Sequence, residues 1–559
     1  MKDDIRAGVE KALEALHIEA ADFVVDWPTD KNTTADYFSN VAMVLAKQLG
    51  TSPITLATSL VDVFAMETVT AKVAGPGFIN FTIDKQWYTD QLNDLHRDPS
   101  RWGRNDSQKD QVVLVEYTSP NLFKPLHVGN LVGNIIGESL TRLFEYNGAT
   151  VKRLNYPSDI GLTVAKAVWG LAKTGGDAED ITKLGEAYRY GNTAYEEDEA
   201  AKAEIVAVNQ DLYAGTDAAL AGLRARGIAT SKRQLDEMCA RLGTTFDAVI
   251  FESDAAPIGV ETVRQHIGSV FFESEGAIVY QGEKVGLHTR VFLNSKGLPT
   301  YEAKDLGNFV HKQALFPNWT TSIIVTGNEQ SEYFKVLYAA IKELFPEINA
   351  NSKQLQHIPT GFLTLSTGKM SSRKGNVLTG ESLLADMEEA AREKAAETRT
   401  ENLDELTEQV AVAALKYQIL RQATGTNIVF DKEQALSFEG DSGPYLQYTH
   451  ARICSVLEKS LAAGVIGSTQ FAPPQPYAVE KLLVRFPTVI ATALTERAPH
   501  KLTTYLTELA GAFNTFYANE KIADPNDELA PYKVAVAEAV RLTLKNGLFV
   551  LGMPAPERM

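Results

Sequence analysis

Residues 112–130 read VVLVEYTSPNLFKPLHVGN. The run Val112-Val113-Leu114-Val115 is unbroken and apolar, the pattern of a strand buried on both faces of a parallel sheet. Ser119, Pro120 and Asn121 then mark a turn, and a helical pattern continues through Phe144. After Asn147-Gly148 a second strand follows at Val151–Leu154. Strand, turn, helix and strand over this length form a βαβ unit, with a right-handed crossover expected. In open α/β sheets the ligand crevice lies where strand carboxyl ends meet helices, and residues 116–130 fall there.

Working outward, Ile323-Ile324-Val325 reads as another buried strand. Between them an Ala/Glu/Lys-rich stretch, about 165–285, reads as a helical insertion in one doubly wound domain. Residues 1–105 alternate helical and strand patterns, as expected of an α+β domain. Ile5, Val9, Leu13 and Leu16 have helical spacing, and Gly75–Phe81 reads as a tight turn feeding a strand. That domain ends in the turn-rich linker HRDPSRWGRNDSQKD at 96–110. From about 385 the pattern is helical to the end, except for a Pro-rich loop at Phe471–Pro476. The boundaries read from sequence are therefore 1–105, 106–395 and 396–559, the last all-α.

Composition excludes several classes. Among 559 residues, 54 basic and 71 acidic side chains give a net charge of −17, which argues against a polybasic binder. From 451 onward the charges nearly balance, 11 basic against 10 acidic. With 44% hydrophobic and 22% charged residues, wholesale disorder is excluded. Cys239 and Cys454 make neither a disulfide framework nor a Cys-rich zinc site, and nine scattered histidines show no ligand spacing, so no metal site and no zinc are expected. No apolar run is long enough for a membrane span, and the N-terminal stretch lacks the apolar region of a signal peptide. A cytoplasmic protein is expected.

Two segments carry chemistry. At the first, a helix N-terminus supplies unpaired N–H groups to an anion, with Lys124 and His127 as further donors. Gly129, Gly133 and Gly137 recur every four residues on one helix face, permitting either close approach of a ligand or packing of helix on sheet. The second is Gly368-Lys369-Met370-Ser371-Ser372-Arg373-Lys374-Gly375-Asn376, whose cations and hydroxyls suit a phosphate-clamping loop. It is not a Walker A loop, because Met370 follows the Gly-Lys pair and Leu363 stands where the first glycine belongs.

Together the two segments resemble the paired signatures of class I aminoacyl-tRNA synthetases. His266-Ile267-Gly268 is nominally closer to the first signature, but it has no preceding strand or Ser-Pro-Asn turn and reads as structural. VEYTSPNLFKPLHVGN (115–130), GLPTYEAKDLG (297–307), TGNEQSEYF (326–334), TGKMSSRKGNV (367–377), PYLQYTHARICSVL (444–457) and the terminal GMPAPERM resemble the arginyl-tRNA synthetase family specifically. The resemblance covers the whole chain and is weakest in the insertion.

It implies a class I Rossmann-type catalytic domain that forms arginyl-adenylate from arginine and ATP, with Mg²⁺ on the phosphates, and passes arginine to tRNA. Lys124, His127, Asn130, Lys369, Ser371, Ser372, Arg373 and Lys374 would be catalytic. His127, Gly129, Asn130, Gly133, Lys369 and Met370 would hold ATP. Glu116, Ser119, Asn121, Glu252, Tyr301, Asp305 and Gln330 would hold arginine, with Tyr301 and Asp305 at the guanidinium and Glu252 as a second carboxylate. Unaided, Tyr301 also reads as core and Asp305 as a helix N-cap. The N-terminal domain would bind the tRNA elbow and the C-terminal domain the anticodon region, and a monomer is expected. Two departures stand out: Asn130 replaces the second histidine of the first signature, and Ser372 replaces the second lysine of the loop. Lys124 stands where relatives lacking that lysine place its substitute. Glu332 is acidic where many relatives carry histidine. A tRNA-binding paralogue without catalysis and a small-molecule nucleotidyltransferase are the rival readings.

Overall fold

The Val112–Val115 run becomes the middle strand of a five-stranded parallel sheet. The computed structural model describes residues 1–28, 33–350, 353–366, 378–395 and 402–559. The strands are β1 (Val112–Glu116), β2 (Thr150–Asn155), β3 (Ala248–Val249), β4 (Thr321–Gly327) and β5 (Gln354–Thr360), in the order β5-β4-β1-β2-β3. Val113 pairs with Val151 on one side and with Thr321 on the other. Val113, Leu114 and Val115 are buried, as a strand covered on both faces requires. The chain runs from β1 through helix α1 (Val128–Tyr146) to β2, while β4 lies on the opposite side of β1. Strand order therefore reverses at β1, where such sheets open a crevice.

Between β2 and β3 lie four helices, Leu162–Thr174, Ile181–Glu197, Glu199–Ala214 and Ala218–Arg241. The rest of the stretch read as helical insertion differs. After Arg241 the chain returns to the sheet as β3, then forms α2 (Glu252–Gln265) and a three-stranded antiparallel sheet over Phe271–Ser274, Ala277–Tyr280 and Arg290–Leu293. Its first turn is Glu275-Gly276, both with positive φ (49° and 79°), the geometry a two-residue hairpin needs. Flanked by aromatic and β-branched residues, that Glu-Gly pair was the available signal. Helices α3 (Tyr301–Leu315) and α4 (Ser331–Leu344) flank β4 in sequence.

A second exception to the helical C-terminal reading is the strand Ile428–Phe430, parallel to Leu363–Leu365. Ile428 and Phe430 are buried and Val429 exposed, so a three-residue alternation too short to register as a period makes this strand.

The chain divides into two compact units: Met1–Gly103 with Ile453–Thr488 and Glu508–Thr543, and Arg104–Arg452 with Val489–Thr507 and Leu544–Met559. The first contains a four-stranded antiparallel sheet built on Val25–Asp26, Tyr37–Ser39, Phe78–Ile83 and Val69–Ala74, in that order. The helix Lys2–Ala15 buries Ile5, Val9 and Leu13 in its core, as their spacing implies. C-terminal residues join the N-terminal ones there: Lys85 bonds Glu480 at 2.6 Å and Trp102 donates to Thr543 at 3.0 Å.

Candidate active site

The turn after β1 is made of backbone that side chains rarely adopt. Thr118, Ser119 and Phe123 have φ of 72°, 33° and 65°, and residues in such regions persist only where their surroundings hold them. The holders are in the sequence. Asn130 Nδ2 donates to the Thr118 carbonyl (2.8 Å) and Asn134 Nδ2 to the Thr118 hydroxyl (3.0 Å), two amides one helical turn apart on α1. Ser119 Oγ accepts from the Tyr156 amide (3.3 Å) and Ser231 Oγ from the Phe123 amide (2.9 Å). Asn130, read as a donor to phosphate or ribose, thus gives an amide hydrogen to this turn, although it also lines the crevice.

His127 is the N-cap of α1, and its Nδ1 accepts from the Gly129 amide at 3.1 Å. Burial, reinforced by the nearby Lys124 charge, lowers its pKa, so near neutral pH the ring is uncharged with its proton on Nε2, a donor. Lys124 Nζ lies 4.0 Å from the centre of the Tyr188 ring. These groups line a crevice of about 780 Å³ that also takes in Ser119, Asn121, Gly129, Gly133 and Gln330. The carboxyl ends of β4 (Val325–Gly327) and β5 (Thr360) form another wall.

Lys369, Met370, Ser371, Ser372, Arg373 and Lys374 lie outside the described residues. Leu363, before those positions in sequence, and Leu378 and Thr379, after them, line the crevice. The Gly380 amide donates to the Leu126 carbonyl at 2.8 Å, tying the returning chain to the first signature.

Glu116, Glu252, Tyr301 and Asp305 do not line the crevice; the three carboxylates gather instead around Tyr156, whose amide reaches Ser119. Glu116 is buried and accepts from Lys312 (2.8 Å) and Asn308 (2.9 Å). Asp159 accepts from Arg224 (2.5 Å) and from the Ser253 amide and hydroxyl (2.9 and 2.7 Å). Glu252 is paired with Lys304. Asp305 accepts from the Tyr333 hydroxyl at 2.5 Å and, among the described residues, has no cationic partner. Burial pushes its carboxyl up to about 7 against the pull of the Tyr333 hydrogen bond, with Glu116 and Glu252 adding to the rise. The buried Tyr156 hydroxyl has no hydrogen-bond partner among the described residues. Tyr301 is 60% exposed, so it is not core, and it lines a second cavity of about 400 Å³ with Ser158, Tyr213 and Lys304. Asp305 lies inside α3 and does not cap it.

Sequence reasoning missed Tyr156, Asp159, Arg224, Lys304, Lys312 and Tyr333. One signal was present: Tyr301, Asp305, Asn308 and Lys312 repeat at helical spacing, and Asn308 and Lys312 are buried. A polar stripe turned inward marks a site. His266 bonds through Nδ1 to the Thr262 carbonyl (2.8 Å) at the end of α2, a local structural role. Among the described residues no group of three or more His, Cys, Asp or Glu side chains could hold a metal, and no helix is long and apolar enough to cross a membrane.

Comparison with known proteins places this architecture. Three family profiles match in succession: the arginyl tRNA synthetase N terminal domain over 3–83, the class I (R) tRNA synthetase catalytic domain over 94–432, and the DALR anticodon binding domain over 446–559. The chain is 31% identical over 537 residues to the arginine–tRNA ligase of Bdellovibrio bacteriovorus, covering 92% of this chain and 91% of that one. It is 29% identical over 511 residues to the enzyme of Treponema denticola, covering 87% and 86%. The structure of Thermus thermophilus arginyl-tRNA synthetase superimposes with a TM-score of 0.81 at 26% identity, covering all of both chains. With its parallel sheet, crevice and tandem domains, the chain belongs to the arginyl-tRNA synthetase family of class I aminoacyl-tRNA synthetases.

Proposed function

We propose that this ligase joins arginine to tRNA through the crevice at the end of β1, with the guanidinium read by Asp305. As a member of its family the chain is an arginine–tRNA ligase that uses ATP, and its crevice residues divide the work among them. The carrying observation is a charge imbalance. Four carboxylates, Glu116, Asp159, Glu252 and Asp305, face Tyr156, and Lys312, Arg224 and Lys304 neutralise three of them. The remaining carboxylate calls for one substrate cation, and a planar guanidinium satisfies both it and the Tyr156 hydroxyl, which has no partner among the described residues.

In the first step an arginine carboxylate oxygen attacks the α-phosphorus in line, the bond to the β-phosphate bridging oxygen breaks, and pyrophosphate leaves. A terminal ribose hydroxyl of tRNA then attacks the arginyl carbonyl and AMP leaves. No side chain acts as a nucleophile; positioning and charge stabilisation carry the chemistry. Lys124 and the neutral His127 donate toward the phosphates at the α1 N-terminus, where the helix dipole favours anions. Gly129 and Gly133 let the nucleotide approach the helix. Ser119, Asn121 and Gln330 face the arginine backbone groups. Lys369, Met370, Ser371, Ser372, Arg373 and Lys374 are assigned to the phosphates on the resemblance of their motif alone. Mg²⁺, if carried in on ATP, would add positive charge on the phosphates, with Glu329 and Glu381 of the crevice wall as its available carboxylates.

Glu116, the last residue of β1 before the turn, is held by Lys312 and Asn308 of α3. We assign residues 1–105 to the tRNA elbow and 396–559 to the anticodon region, and place the enzyme in the cytoplasm as a monomer. The test is aminoacylation of total tRNA with each of the twenty amino acids. Charging with arginine alone is expected, and equal charging with lysine would overturn the Asp305 assignment. Binding of tRNA without charging by any amino acid would favour a role without catalysis.

A further inference from the structure

Among the described residues two cations line the crevice, Lys124 and Arg189. Arg189 comes from the insertion helix Ile181–Glu197, and Ile181, Thr182, Gly185 and Tyr188 of that helix line the crevice with it. Steps of three and four residues separate them, so one face of the helix is turned to the crevice. A second face is locked: Leu184 and Ala187 are buried in the core of the insertion. A Cβ on Gly170 would lie 2.2 Å from the Ala187 carbonyl oxygen, and one on Gly191 2.0 Å from that of Lys166. The helices Leu162–Thr174 and Ile181–Glu197 therefore meet backbone to backbone, which leaves no room for the second to roll. Its crevice face is seated on the first signature as well. A Cβ on Gly185 would stand 3.2 Å from Pro125 Cδ, and the Tyr188 ring lies under Lys124. Arg189, the next residue, is exposed and has neither an ion pair nor a hydrogen bond among the described residues. Arg224 and Arg241 of the neighbouring insertion helix, by contrast, are paired with Asp159 and with Glu388 and Glu408. We propose that Arg189 is a catalytic residue of adenylate formation, its guanidinium holding the terminal phosphates of ATP that leave as pyrophosphate. This rests on the reading of the crevice as the site of arginine activation and extends it to the insertion.

The physical reason is the charge of the polyphosphate. The described crevice wall carries Glu329 and Glu381 as well as its two cations. Without Arg189 those side chains would hold more negative than positive charge, against a ligand that is itself a polyanion. Neither His127, uncharged near neutral pH, nor the amide of Asn130 supplies the difference. Exposure then orders the substrate along the crevice. The pocket around Tyr156 is buried and Arg189 is exposed, so the phosphates farthest from arginine meet the guanidinium. When the bond from the α-phosphorus to the bridging oxygen breaks, its electron pair stays on that oxygen and departs with pyrophosphate. A planar fork of N–H donors fits two phosphate oxygens at once. Held in place by its helix, it meets the added charge in the transition state with no reorganisation.

The experiment is ATP–pyrophosphate exchange by the full chain with arginine and tRNA present, with ATP and pyrophosphate varied separately. Arg189→Gln should lower kcat for exchange on the order of 10²-fold, the lower end for one preorganised donor. Its KM for pyrophosphate should rise while the KM for arginine stays as in the wild type. Arg189→Lys keeps the charge but loses the fork, and should recover part of the loss. Arg226→Gln removes a cation from the same insertion away from the crevice wall and controls for net charge; it should match the wild type. Transfer of arginine from preformed arginyl-adenylate to tRNA involves no pyrophosphate, so in single turnover Arg189→Gln should be slowed far less in that step than in exchange. Wild-type exchange kinetics in Arg189→Gln would overturn the proposal. So would a defect confined to transfer, which would give the guanidinium to the phosphates of the tRNA end. Equal losses in both steps with no recovery in Arg189→Lys would mark a structural role, and overturn it too. If wild-type exchange instead requires an amino acid other than arginine, the reading of the substrate fails, a result distinct from these.

Discussion

A carboxyl with a pKa near 7 grips a guanidinium only after losing its proton. Asp305 is raised to about 7, chiefly by burial. Below that pH it is mostly protonated and neutral; above it, it carries the charge required of the proposed counter-ion of arginine. The KM for arginine should therefore fall as pH rises from 6 to 8, by about tenfold, and level off above 8. Steady-state exchange at fixed saturating ATP reads this directly, and a flat profile would place the reading of charge elsewhere. Asp305→Asn removes the counter-ion, and breaking a buried pair costs about 3–5 kcal/mol, or roughly two to three and a half powers of ten in kcat/KM. Citrulline, the neutral isostere, should lose far less. Lys124 makes a different prediction, because it lines the crevice beside His127, where the nucleotide is proposed to bind. Lys124→Ala should lower kcat for exchange on the order of 10²–10³-fold, the usual loss for one preorganised donor, with little change in the KM for arginine. Near-normal exchange would show that the cation serves only to pack on Tyr188.

Helix α1 shows why three evenly spaced glycines need not share one reason. A Cβ on Gly137 would sit 2.3 Å from the Tyr117 ring, whereas on Gly133 it would meet nothing closer than the Val325 carbonyl at 3.8 Å. Gly137 is thus a packing residue, and Gly133, which lines the crevice, leaves space for ligand. Gly137→Ala should destabilise by about 1–3 kcal/mol, the range for overpacking, and lower the melting temperature without a selective rise in the KM for ATP. Gly133→Ala should keep the melting temperature, helped by alanine's better helix propensity, and raise the KM for ATP. Scanning calorimetry beside ATP titration separates the two, and the reverse pattern would refute the division. In sequence the glycines were legible as a face but not as two functions, because spacing reports direction and carries no information about what the face meets. The same limit applies to α3. The polar stripe Tyr301, Asp305, Asn308 and Lys312 is visible, but that Lys312 takes Glu116 of β1, and the neighbouring Lys304 takes Glu252 of α2, depends on elements distant in sequence.

Across the whole molecule, strands β1 and β4 are readable from the apolar runs Val112–Val115 and Ile323–Val325, and β2 from its place after the Asn147-Gly148 turn, whereas β3 and Ile428–Phe430 have two or three residues and no period to detect. The regrouping of C-terminal residues into both compact units is still less legible, since it is made by contacts separated by hundreds of positions. Lys416 is one such contact. It is 1% exposed and donates to the carbonyls of Leu242 and Gly552, each at 2.6 Å, so it pins the chain after Ala218–Arg241 and the C-terminal tail to one point. Burial, with Arg142 nearby, lowers its pKa to about 7. In the unfolded chain the same amine titrates near 10.4. Between these values the unfolded state binds the extra proton, so folding is progressively favoured as pH rises from about 7 toward 10, and the penalty is fully present below 7. Going from pH 7 to pH 9 should therefore add about 2 kcal/mol of stability from this one group. Lys416→Met abolishes the dependence and strands two carbonyls, a loss of about 1–3 kcal/mol per buried group that does not vary with pH. The difference in unfolding free energy between wild type and variant should consequently widen between pH 7 and pH 9, measured by denaturant titration at each pH. A constant difference would mean that Lys416 remains charged in the folded protein, held by the two carbonyls against its burial.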